Sequence, residues 1–187
     1  HKSAYFATAN IAYPLDFMGK VMDAMKTEGA GFIQVFTPCP RGWRHGAVKT
    51  LEISKLATES GYWPLVTVKV KNGEPKYYYN KVPKMENPDE ESGEIFKVNE
   101  EKLMKMVRAQ GKFRHLIKPQ FLEDKIDETI NQVKARNANL NKLVMATNSD
   151  ERRLRYSVMA RNIPDQELIN PGHGLCPGCG AGSMLNQ

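Results

Sequence analysis

Cysteine is scarce in this chain. There are three among 187 residues, an odd number, and two of them form a close pair. A secreted scaffold stapled by disulfides needs a denser, even set, so that class is excluded and the thiols read as reduced and intracellular. No apolar run is long enough to span a bilayer, and a cytoplasmic protein with no membrane partner is expected. There is no internal repeat and no low-complexity run. The start, His1-Lys2-Ser3-Ala4-Tyr5, has no initiator Met and no signal-peptide pattern, and reads as a cut end. An arginine stripe is also missing. The formal charge of +6 is spread over helix-like segments. A solvated surface is expected, with no nucleic-acid partner; a basic face also suits an acidic protein such as a small electron carrier.

What is present reads as α/β. Ala4 to Ala9 is a short buried strand. Pro14 opens a helix with Asp16 in its first turn, where the helix dipole favours negative charge. Leu15, Met18, Val21, Met22 and Met25 recur at helical spacing and read as core packing. Gly31 to Phe36 is a second strand, ending at Thr37-Pro38-Cys39. In open α/β sheets ligands gather past the C-terminal ends of strands, which makes Cys39 a functional candidate; by itself it would read as a small buried hydrophobe. Arg41 suits an anion or an ordinary surface salt bridge. Lys49 to Ser60 is an amphipathic helix with Leu51, Ile53, Leu56 and Ala57 inward. Trp63 to Val70 and Tyr77 to Tyr79 are strands joined by a hairpin at Asn72-Gly73. Lys84 to Gly93 reads as a loop. Asn99 caps a helix from Glu100 to Gln110. Phe113 to Leu116 is a linker, in which His115 reads as a surface or packing residue more readily than a ligand. Gln120 to Lys134 is a further helix, Asn137 to Thr147 is weakly apolar, and Ser149 to Arg155 reads as surface or linker.

Gly172-His173-Gly174-Leu175-Cys176-Pro177-Gly178-Cys179-Gly180 carries the chemistry. Two thiols two residues apart reach one metal centre. Pro177 stiffens the turn, while Gly178 and Gly180 leave backbone N–H groups facing the sulfurs. Three readings stand. A zinc knuckle needs two more ligands, for which Cys39 and His173 are the near candidates. A dithiol redox site would place the pair between a strand and a helix, whereas a Pro/Gly-rich segment precedes it here. An iron–sulfur cluster would have three cysteines in view.

Tyr5-Phe6-Ala7-Thr8-Ala9-Asn10-Ile11-Ala12-Tyr13-Pro14, Pro38-Cys39-Pro40-Arg41-Gly42-Trp43, Gly61-Tyr62-Trp63-Pro64-Leu65 and Gln110-Gly111-Lys112-Phe113-Arg114-His115-Leu116 form a combination. Together they make residues 1 to about 135 resemble the C-terminal half of the β subunit of 2-oxoacid:ferredoxin oxidoreductases, most nearly pyruvate synthase. Residues 159 to 187 resemble that subunit's N-terminus. The resemblance implies a partial thiamine-diphosphate-binding fold: α/β, with a mainly parallel sheet, a small hairpin and C-terminal helices. It implies oxidative decarboxylation of a 2-oxoacid to an acyl-CoA, with electrons passing through a 4Fe-4S cluster to ferredoxin. Cys176, Cys179 and Cys39 fall on cluster positions, and Gly178 and Gly180 lie beside the cluster or thiamine diphosphate. The partners implied are the α and other subunits, ferredoxin, a 2-oxoacid and CoA.

The family's remaining cluster cysteine has no counterpart before Gln187. The Gly-Asp-Gly segment that holds magnesium and the diphosphate occurs nowhere in the sequence. The two pieces also stand in inverted order, as in a tandem fusion, a gene junction or a permuted chain. The expected organisation is 1–150 as the C-terminal half of a β subunit, and 151–187 as linker and N-terminus-like segment.

Overall fold

The computed structural model describes residues 3–80, 89, 91–117 and 123–147. Four strands and six helices follow in the order β1 (Ser3–Asn10), α1 (Pro14–Lys26), β2 (Ala30–Phe36), α2 (Pro40–Trp43), α3 (Thr50–Glu59), β3 (Val66–Lys71), β4 (Glu74–Tyr79), α4 (Glu100–Arg108), α5 (Arg114–Ile117) and α6 (Glu123–Met145). The sheet runs β2-β1-β3-β4.

The α/β class is as expected, but the sheet is mixed. β1 and β2 are parallel, in register from Tyr5↔Gly31 to Asn10↔Phe36. β3 joins the other side of β1 antiparallel, and β4 pairs antiparallel with β3. The expectation of mainly parallel pairing is thus corrected. The two-residue turn between β3 and β4 forces them antiparallel, and Thr8 ties the hairpin to β1: its Oγ1 accepts from Val66 N at 2.9 Å and donates to Pro64 O at 2.7 Å. Asn72 and Gly73 at the hairpin tip both take positive φ, 52° and 82°, as a tight two-residue turn demands.

α1 lies on the sheet face of Tyr5, Ala7 and Ala9, all fully buried. Two of these are alanines, which lets a helix approach closely. A Cβ built on Gly31 would meet Ala24 Cβ at 3.4 Å and Tyr5 Cβ at 3.9 Å. The Met-bearing stripe of α1 is only partly core packing: Met18 and Val21 are half-buried. Leu15, Met22 and Met25 are 43%, 47% and 82% exposed, because β2 is an edge strand and no described element lies beyond it. Inside the same helix, Lys20 Nζ donates to Asp16 Oδ2 at 2.7 Å and to Thr8 O at 2.8 Å, and Asn80 Nδ2 donates to Asp16 Oδ1 at 2.9 Å. Lys20 and Asp16 are both buried. Burial lowers the Lys20 pKa, and Asp16 opposes that shift.

One core joins α3, α4 and α6 through Ile53, Leu56, Leu103, Met106, Ile126 and Ile130. Leu51, expected inward, is exposed. A second core gathers Val66, Tyr79, Ile95, Phe96 and Val144. Asn99 caps α4 as expected, its Oδ1 accepting from Lys102 N at 2.9 Å. α6 runs on to Met145, through the segment that reads as weakly apolar. Its inward positions 126, 130, 133, 137 and 144 keep helical spacing, but position 137 is an asparagine. Asn137 Nδ2 donates to Gly61 O at 2.9 Å, so the buried amide is satisfied by backbone. The expected linker 113–116 falls in a 3₁₀ turn and α5. Among the described residues no helix is long and apolar enough to cross a membrane.

Candidate functional site

β1 and β2 are parallel, so their C-terminal ends share one end of the sheet. Three residues past Phe36, Cys39 begins a tight turn. Pro38 and Pro40 are buried on either side of it and hold its backbone. Cys39 is extended (φ −77°, ψ 122°) and caps the single-turn α2. Its Sγ accepts from Gly42 N at 3.4 Å. A backbone N–H aimed at sulfur is the kind of outer contact that supports metal-bound thiolates. The side chain is half-buried, within reach of solvent.

The turn is fastened by aromatic packing. The Phe36 ring meets Trp43 edge-on at 5.3 Å between centroids, Tyr62 edge-on at 6.3 Å, and Trp63 at 5.2 Å. Trp63 Nε1 donates to Ala9 O at 2.9 Å, at the end of β1. From the other side Gly111 N donates to Arg44 O at 2.9 Å. A Cβ at position 111 would fall 2.7 Å from Arg44 Cβ and 2.8 Å from Arg44 O, so only glycine lets these backbones approach. Next in sequence, Lys112 Nζ lies 3.1 Å over the centre of the Trp43 ring and 4.8 Å over Phe113. Burial pulls the Lys112 pKa from its ordinary 10.5 down to about 8.

Four stretches that are far apart in sequence therefore converge: the end of β1, the Pro38–Trp43 turn, the Gly61–Leu65 turn, and Gln110–Phe113. The sequence joins them only through the family resemblance, since they lie far apart along the chain. Their meeting at one end of the sheet is a product of the fold.

Other candidates resolve more simply. Arg41 is exposed and forms no ion pair among the described residues. His115 is exposed, its Nδ1 3.1 Å from Lys112 O, which agrees with the packing reading. Sequence reasoning passed over two residues. His45, in the Cys39 turn, buries Nε2 without a partner, and Tyr13, just past β1, does the same with its hydroxyl. Burial, helped by Glu59, raises the Tyr13 pKa. Neither belongs to a sequence cluster, so no spacing signal marks them. Cys176, Cys179, Gly178, Gly180 and His173 lie outside the described residues. Among the described residues no three His, Cys, Asp or Glu side chains converge on a possible metal position.

The mixed α/β sheet carries a thiol-bearing turn at the C-terminal ends of its parallel strands, the end at which open α/β sheets gather ligands. The relatives make the class specific. The chain is 42% identical over 118 residues to ketoisovalerate oxidoreductase subunit VorB of Pyrococcus abyssi, covering 63% of this chain and 33% of that protein. It is 38% identical over 128 residues to pyruvate synthase subunit PorB of Thermotoga maritima, covering 68% and 34%. With PorB of Pyrococcus furiosus it shares 37% over 142 residues, covering 72% and 40%. No family model matches. The chain is homologous to the β subunits of 2-oxoacid:ferredoxin oxidoreductases, and it spans about a third to two-fifths of the length of these relatives.

Proposed function

We propose that this chain is an incomplete β subunit of a thiamine-diphosphate-dependent 2-oxoacid:ferredoxin oxidoreductase acting on pyruvate. Residues 1–150 correspond to the subunit's C-terminal half, and 151–187 to linker and N-terminus-like segment. In the complete enzyme the reaction converts a 2-oxoacid and CoA to an acyl-CoA, with electrons leaving through a 4Fe-4S cluster to ferredoxin. The α and other subunits complete the assembly, in the cytoplasm.

The observation that carries this reading is the convergence of four family-like segments around Cys39 at the C-terminal ends of the parallel strands. Cys39 fits a cluster ligand: a half-buried sulfur that already accepts a backbone N–H. Cys176 and Cys179 would supply two further thiolates, with Gly178 and Gly180 keeping their N–H groups open to sulfur. Thiamine diphosphate fits less well, because this chain has no Gly-Asp-Gly anchor for its magnesium and diphosphate.

The test is anaerobic reconstitution of the full chain with iron and sulfide, set against zinc titration. The reading expects the broad visible absorbance of an iron–sulfur chromophore, lost in both Cys176→Ser and Cys179→Ser variants. Stoichiometric zinc uptake with no chromophore would replace it with a zinc module built on the same cysteines.

A further inference from the structure

Lysines at the packed surfaces of this molecule have carboxylate partners. Lys20 pairs with Asp16, Lys69 with Asp23, Lys102 with Glu59 and Lys105 with Glu52. Lys112 is half-buried and forms no ion pair among the described residues. Its Nζ lies instead on carbon, 3.1 Å over the centre of the Trp43 ring and 4.8 Å over Phe113. The backbone that carries it is held on both sides. Gly111 N donates to Arg44 O at 2.9 Å, and His115 Nδ1 lies 3.1 Å from Lys112 O.

The charges around this amine have one sign. The 3₁₀ turn of Lys112 packs on α2 and α4 and runs into α5. The turn of α2 carries Arg41, Arg44 and His45, the last turn of α4 carries Lys105 and Arg108, and α5 carries Arg114 and His115. The acidic residues of α4, Glu100 and Glu101, stand in its first turn, at the other end of the helix. No carboxylate occurs between Cys39 and Lys49, or between Lys102 and Ile117. A lysine that is desolvated against apolar surface and set among cations holds its proton weakly, and the neutral amine is a nucleophile. The fall of the Lys112 pKa to about 8 through burial agrees with this geometry. Arg41, Arg44 and Arg114 are exposed at the rim and have no ion pair among the described residues, so an anionic reagent is drawn to the same place.

We propose that Lys112 is an acylation site, whose Nζ takes an acyl group from a coenzyme A thioester. The choice of donor rests on the β-subunit reading above, in which an acyl-CoA is the product; the reactive amine rests on the site alone. In the step, neutral Nζ attacks the thioester carbonyl. A C–N bond forms, the C–S bond breaks, coenzyme A leaves as its thiolate, and the proton released from nitrogen passes to that thiolate or to water. No electron is transferred. The amide has no charge to place over Trp43, so the modification removes one cation from the basic rim and answers to the level of acyl-CoA.

The test incubates the full chain with acetyl-CoA at neutral pH, strips S-acyl groups with hydroxylamine and reads acetylation of each lysine by mass spectrometry. Lys112 should react roughly tenfold or more faster than the exposed Lys49 and Lys55, because more of it is neutral. Its rate should level off above about pH 8, while Nα-acetyl-lysine methylamide in the same tube continues to gain rate. Trp43→Ala should move the plateau to higher pH. A Lys112 rate equal to that of Lys49, or a profile that follows the model compound, overturns the proposal. Arg44→Gln combined with Arg114→Gln should slow acetyl-CoA by roughly threefold or more and leave the phosphate-free donor S-acetyl-N-acetylcysteamine unaffected. An unchanged acetyl-CoA rate in that variant overturns the choice of donor. The iron and sulfide reconstitution does not involve Lys112, so failure of the acylation site and failure of the β-subunit reading are told apart.

Discussion

Lys112 shows how one side chain can be pulled two ways. The Trp43 ring beneath its Nζ attracts the ammonium form, while burial disfavours it. Burial wins, and the pKa falls from 10.5 to about 8. The unfolded chain keeps its proton up to about 10.5. Stability from this group is therefore present above 10.5 and lost as pH falls through about 8. NMR titration of Nζ should give a midpoint near 8, which Trp43→Ala moves upward by uncovering the amine. A midpoint at the ordinary lysine value in the intact chain would refute this account. Lys20 poses the opposite problem, a charge with almost no exposure whose partner is equally buried. Lys20→Ala strands the Asp16 carboxylate with Asn80 as its remaining side-chain donor in this network. A loss of about 3–5 kcal/mol is expected in chemical denaturation, and much less for Asp16→Leu combined with Lys20→Met.

A single hydroxyl extends the hold of the hairpin on β1. Pairing between β1 and β3 extends only over Tyr5, Ala7 and the residue between them. Beyond that stretch Thr8 Oγ1 takes over the role of a ladder bond. Thr8→Val keeps the shape but leaves Val66 N without its acceptor, at a cost of about 1–3 kcal/mol. Faster amide exchange should be confined to β3 and β4, and unchanged exchange there would show that the hydroxyl is dispensable. α6 depends on a similar device, since Asn137 and Asn141 face inward and bond the backbone at Gly61 and Phe96. These amides tie α6 to turns over 40 residues earlier.

As the proposed β subunit, the chain would lack its diphosphate anchor, since Gly-Asp-Gly occurs nowhere in the sequence. Calorimetry of the chain with thiamine diphosphate and magnesium should detect no binding at micromolar concentrations, and the chain alone should be inactive. Micromolar affinity would show that the anchor lies in residues other than Gly-Asp-Gly. If residues 151–187 open a separate subunit copy, as the inverted order suggests, the sulfurs of Cys176 and Cys179 should lie far from Cys39. Crosslinking with a short dithiol-reactive reagent measures this, and efficient intramolecular capture would make the three cysteines one site.

Local order was legible in the chain itself. Pro14 with Asp16, Asn99, Asn72-Gly73 and the run Gly31–Phe36 each specify their element through φ preference, capping or side-chain spacing, all of which act within a few residues. The position of Cys39 past a strand end followed from the same reasoning. The sequence could not show which surfaces would be left uncovered. Met22 and Met25 of α1 have core spacing, yet they stand exposed because the strand beneath them is an edge. It also could not show that α6 continues past Lys134, since a buried asparagine breaks the apolar pattern and is satisfied only by a distant turn. The meeting of Gly111 with Arg44, and of Lys112 with Trp43, depends on chain segments nearly 70 residues apart. Such contacts are decided by how helices pack on the sheet, and no local preference encodes them.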